Sequence, residues 1–120
     1  MIRGLPYTSL LIFSIVSHSL AQDRSISEQE VRAVLDEQIT EWNNGNIDRF
    51  MEGYAKLDSL RFASNGTITY GWNNMLQRYK KNYAAKELMG TLIFSRIRVD
   101  VLSEDAALVF GKWSVRRSKD

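Results

Sequence analysis

Apolar positions between Ser27 and Tyr54 recur at helical spacing, with Val31, Val34, Leu35, Ile39 and Trp42 forming one stripe. Ser27 followed by Glu30 is a capping box that sets the start of this helix, and Gly45 suits the left-handed position just past its end. After the break at Asn44-Gly45, Asn46 can cap a second, shorter helix whose stripe is Ile47, Phe50, Met51 and Tyr54, with Gly53 weakening its last turn. From Leu60 to Tyr70 the period changes to two. Leu60 and Phe62 alternate with Arg61 and Ala63, Ile68 and Tyr70 with Thr67 and Thr69, and Asn65-Gly66 between them is a strong hairpin turn.

Helical spacing returns over Trp72 to Tyr83, where Trp72, Leu76, Tyr79 and Tyr83 share a face. Arg78, Lys80 and Lys81 fall mostly off that face and read as a solvated basic side. A loop around Ala84 to Gly90 leads to two long strands, Thr91 to Leu102 and Ala106 to Arg117, turned by Ser103-Glu104-Asp105. Leu92-Ile93-Phe94 and Leu108-Val109-Phe110 are continuous apolar runs, which predicts a sheet covered on both faces there. A strand as long as the first is expected to bend.

Residues 1–21 carry a different pattern. Arg3 precedes the apolar run Leu10 to Val16, and Ser19-Leu20-Ala21 is a small-x-small cleavage site, together the marks of a secretory signal peptide cut after Ala21. The run is too short for a membrane anchor, which needs about 20 residues. The expectation is therefore a secreted or periplasmic protein whose one domain is residues 22–120. Arg3 is the only charge the leader removes, so the formal charge falls from +2 to +1, too near neutral to suggest a nucleic-acid partner.

The chain has no cysteine, so neither disulfides nor lipid attachment at a thiol can contribute. Its single histidine, His18, lies in the leader. Residues 22–120 thus lack the Ser-His and Cys-His nucleophiles and the imidazole or thiolate ligands of zinc sites. There is no EF-hand spacing and no phosphate-binding glycine motif, and no cofactor or metal is implied. Asn65-Gly66-Thr67 is also a glycosylation sequon, though the turn alone accounts for it.

Helix pair, hairpin, helix and long antiparallel strands, with the run Trp42-Asn43-Asn44-Gly45-Asn46-Ile47-Asp48-Arg49-Phe50-Met51, resemble the nuclear transport factor 2-like superfamily and its SnoaL-like branch. Asp58-Ser59-Leu60-Arg61-Phe62, Gly71-Trp72 and Ala106-Ala107-Leu108-Val109 extend the resemblance over about Ser27 to Val115. It implies an α+β fold, a cone-like curved antiparallel sheet packed around three helices. Such domains usually end in two further strands, so the resemblance also implies a domain truncated at its C-terminus, or an edge completed by a second protomer in a homodimer.

Relatives bind small molecules between helices and sheet. By that analogy Trp42, Phe62, Trp72, Tyr83 and Trp113 line a pocket for a small hydrophobic molecule, although each taken singly reads more readily as core, worth ~1.5–3 kcal/mol of burial. Tyr54 and Tyr79 add hydroxyls that want a partner. Asp58, just after the second helix, is the candidate acid or base, or else a surface carboxylate paired with Arg61. Arg96 and Arg98 would meet an anion if they face the hollow, and Asp100 if they face solvent. Ketosteroid isomerase relatives use a tyrosine and an aspartate where this chain has Gln38 and, within one residue, Ala63, so their mechanism is not implied. Two readings remain, a binding module and a cofactor-free isomerase, cyclase or hydratase using Asp58 with Tyr54 or Tyr79. The fold hosts both kinds of function.

Overall fold

In the computed structural model, which describes residues 25–118, Ser27 caps helix α1 (Glu28–Asn43) through the full capping box. The Ser27 oxygen accepts from the Glu30 N–H at 3.1 Å while the Glu30 carboxylate accepts from the Ser27 N–H at 2.9 Å. The helix ends as a Schellman motif. Gly45, at φ +78°, donates to the Trp42 carbonyl and Asn46 to the Glu41 carbonyl, both at 2.8 Å. Asn46 then caps α2 (Ile47–Met51) by accepting from the Arg49 N–H. The expected leader, residues 1–21, lies outside the described residues.

Strands β1 (Arg61–Ser64) and β2 (Thr67–Tyr70) pair antiparallel across the Asn65-Gly66 turn. Helix α3 (Trp72–Asn82) follows, then a short helix α4 (Lys86–Met89) where the sequence predicts only loop. Strands β3 (Thr91–Ser103) and β4 (Ala106–Arg116) form the second antiparallel pair. The described residues therefore hold four helical segments and two separate two-stranded sheets rather than the three helices and single curved sheet that the resemblance implies.

The core is a cluster of Trp42, Ile47, Phe50, Met51, Met75, Leu76, Met89 and Leu92, where all four helices meet the start of β3. Met51 is wholly buried. Trp42, 3% exposed, uses its indole N–H as well as its area, donating to the Met89 carbonyl at 3.0 Å. Gln38 stands beside this cluster at 5% exposure, its amide donating to the Phe50 carbonyl at 3.4 Å. The Gln38 side chain also lies so close to Gly53, just past α2, that a Cβ there would come within 2.5 Å of its amide nitrogen. Val34, placed on the buried stripe by its spacing, is 44% exposed, because the face that packs rotates toward Gln38 and Trp42.

Helix α1 runs antiparallel along β3. Its C-terminal Asn43 meets Leu92, Arg32 donates to the Ile97 carbonyl at 3.1 Å, and Ile26 donates to the Glu104 carbonyl at the far turn. The expected bend in β3 is a β-bulge: Ser95 pairs with Lys112 and Arg98 with Phe110, so Arg96 and Ile97 together oppose Gly111. Arg96 takes φ +53° to make the bulge. One expectation fails. Leu108, Val109 and Phe110 are exposed, Phe110 by 56%, because the helices pack against the Leu92 end and nothing among the described residues covers β4 here.

Candidate functional site

Trp42 sits at the back of a cleft flanked by the β1–β2 hairpin on one side and β3–β4 on the other. Its ring meets those of Phe50 at 5.0 Å, Tyr79 at 5.8 Å and Tyr83 at 4.9 Å, all edge to face. Phe50 passes the contact to Tyr54 at 5.9 Å, and Tyr54 to Phe62 on β1 at 5.0 Å. Edge-to-face geometry sets a positive ring edge against a negative face and adds about 0.5–1.5 kcal/mol per pair beyond area. The outcome is one aromatic wall running from α3 through α1 and α2 to the first hairpin.

The cleft holds about 350 Å³. Ala63, Ser64 and Thr69 from the hairpin, Met75, Arg78 and Asn82 from α3, Leu92 and Phe94 from β3, and Trp113 and Val115 from β4 complete its walls. Six sequence-predicted residues therefore come together around it: Trp42, Tyr54, Phe62, Tyr79, Tyr83 and Trp113. Trp113 is also 68% exposed, so it forms the rim.

Two do not join them. Trp72 turns under α2, where its indole N–H donates to the Met51 carbonyl at 2.7 Å and Lys56 lies over its ring. It is a structural tie rather than part of the cleft wall. Asp58 is exposed on a tight turn closed by the Leu60 N–H to the Leu57 carbonyl, and it is not part of the cleft wall either. The same connector is pinned to the start of α3 by Gly71 donating to the Leu60 carbonyl at 2.7 Å and Trp72 to that of Leu57 at 3.1 Å. The turn is thereby held away from the aromatic wall.

Both tyrosine hydroxyls are shifted upward. Burial pushes the Tyr79 hydroxyl up to about 12, helped by the neighbouring Tyr54 and Tyr83 and opposed by Arg78. Burial also raises Tyr54, and a hydrogen bond from Gln38 works the other way. At neutral pH both keep their protons.

Arg78 is exposed, as its place on the solvated basic side predicts, and it also reaches the cleft wall. Its Nη1 donates to the Thr69 hydroxyl at 2.9 Å, which holds the guanidinium against β2 at the cleft. Arg98 behaves as a solvent-facing pair, bridging to Asp100 at 2.8 Å. A second hollow of about 500 Å³ between Asn44–Asp48 and Lys80–Met89 is polar, and its cations are already engaged, Lys80 with Asp48 and Lys86 with the Asn43 carbonyl. Among the described residues no group of three or more His, Cys, Asp or Glu is placed to hold a metal ion, and no helix is long and apolar enough to cross a membrane.

No protein-family model and no curated protein matches the chain. Among solved structures it is similar to an NTF-2-like protein of unknown function from Shewanella oneidensis MR-1, at 41% identity and a TM-score of 0.72, over 75% of this chain and 74% of that one. With identity and structural similarity of this level over most of both chains, the protein belongs to the NTF-2-like family.

Proposed function

We propose that this protein is a secreted or periplasmic binding module that takes a small hydrophobic molecule into its aromatic cleft, without a cofactor. The observation that carries this reading is the unbroken series of edge-to-face rings, from Tyr83 through Trp42, Phe50 and Tyr54 to Phe62, lining a cleft of about 350 Å³. That volume lies in the range of small-molecule sites, roughly 300–1,000 Å³. In this reading the two hairpins curve around the helices as the walls of a cone, and a second copy of the chain pairs with it as a homodimer. The enzymatic alternative lacks a base at the cleft, since Asp58 sits on its exposed turn while Tyr54 and Tyr79 hold their protons.

The test is a thermal-shift panel of aromatic and alicyclic compounds, read together with the fluorescence of Trp42 and Trp113. A ligand at one hundred times its Kd adds about 2.7 kcal/mol, a shift on the order of 10 °C for a domain of this size. A panel in which no compound moves the midpoint or the emission would sink the proposal.

A further inference from the structure

We infer that the cleft selects a molecule with an apolar body and a single carboxylate, and that Arg78 reads the charge. The inference rests on the cleft being a binding site. Arg78 is a wall residue whose guanidinium is fixed by one hydroxyl, that of Thr69 at 2.9 Å, which leaves its other N–H donors uncommitted. Among the described residues it makes no ion pair, whereas Lys80, two positions on, is neutralised by Asp48 at 2.9 Å. No aspartate or glutamate lines the cleft, so Arg78 is the one charge on a wall that is otherwise aromatic, aliphatic or neutral polar.

A cation beside an apolar hollow favours an anion that brings its own apolar surface, because the rings take the body while the planar fork takes two oxygens at once. Thr69 and Asn82 stand on the same wall as neutral groups that tolerate a carboxylate. One guanidinium balances one negative charge. A dianionic phosphate would retain an uncompensated charge against the aromatic wall, which favours the carboxylate of the two.

Calorimetric titration with 2-naphthoate, its neutral counterpart 2-naphthamide, and 2-naphthyl phosphate tests this. The protein should bind naphthoate at least about tenfold more tightly than naphthamide, a difference of about 1.4 kcal/mol. In Arg78→Gln that preference should vanish with naphthamide affinity unchanged, and Arg78→Lys should restore part of it. Arg78 is exposed, and equal naphthamide binding certifies that the variants are folded. Equal affinity for acid and amide in the unmodified protein, or a preference that survives Arg78→Gln, overturns the role of Arg78 while leaving the hydrophobic site in place. Tighter binding of the phosphate overturns the carboxylate. Failure of all three compounds to bind removes both this inference and the reading beneath it.

Discussion

The side-chain amide of Asn43 hydrogen-bonds both backbone groups of Leu92, accepting from its N–H at 2.8 Å and donating to its carbonyl at 3.3 Å. One side chain at the end of α1 thus acts as a single residue of a neighbouring strand. It fixes the start of β3 next to the core, where Leu92 and Trp42 both point. Asn43→Ala leaves a part-buried N–H and carbonyl without these partners, at a cost of about 2–3 kcal/mol. Urea unfolding should show that loss, and the Leu92 amide should exchange with solvent much faster than in the unmodified protein. Unchanged Leu92 exchange would show that the strand is held by other contacts.

Gly53 lies under the buried Gln38. A Cβ at position 53 would come within 2.9 Å of the Gln38 Cγ and closer still to its amide. Gly53→Ala should therefore push Gln38 off the Phe50 carbonyl and destabilise the domain by about 1–3 kcal/mol, against the usual gain from replacing glycine. Adding Gln38→Ala should make the second substitution nearly free, and a double-mutant cycle measures that coupling. Simple additivity would show that the two sites are independent.

Tyr79 gives a pH signature. Its folded value of about 12 lies above the ordinary 10.0, so the folded state holds the proton more tightly than the unfolded chain does. The stabilisation is complete below pH 10 and is lost as pH rises from there through about 12. Chemical unfolding across this window should show a steeper decline in the unmodified protein than in Tyr79→Phe, which has no proton to lose. Parallel declines would mean that the hydroxyl is not shielded.

Asp58→Asn should change little. An exposed turn residue away from the cleft alters stability by no more than about 0.5 kcal/mol, and the affinity for a cleft ligand should be unaltered. A large loss of affinity or of any measured turnover in this variant would restore Asp58 as a site residue.

Local chemistry was the legible part of this chain. The Ser27–Glu30 box, the Gly45 stop, the Asn46 cap and the Asn65-Gly66 turn each act within a few residues, so sequence spacing alone places them. What escaped depends on distant partners. Gln38 is buried because the Phe50 carbonyl of α2 and the bare Gly53 just past that helix make room for it, and Arg78 belongs to the cleft because β2 offers it the Thr69 hydroxyl. The periodicity of either helix counts both residues as outward polar positions. Likewise the apolar runs of β3 and β4 look alike in sequence, yet Leu92 is buried and Phe110 is not, since Leu92 faces the helices while nothing among the described residues covers Phe110. For the site, most of the aromatic wall followed from the family resemblance, while the separation of Asp58 from it did not.

The two-against-one arrangement of Arg96 and Ile97 with Gly111 has a consequence for how the chain assembles. A Cβ at position 111 would come within 2.3 Å of the Ile97 Cδ1, so a side chain there requires Ile97 to turn aside. Sliding β4 by a single step would bring Phe110 or Lys112 to that place. The bare position therefore works as a keyway, favouring the one alignment in which Ile97 keeps its place over the adjacent ones.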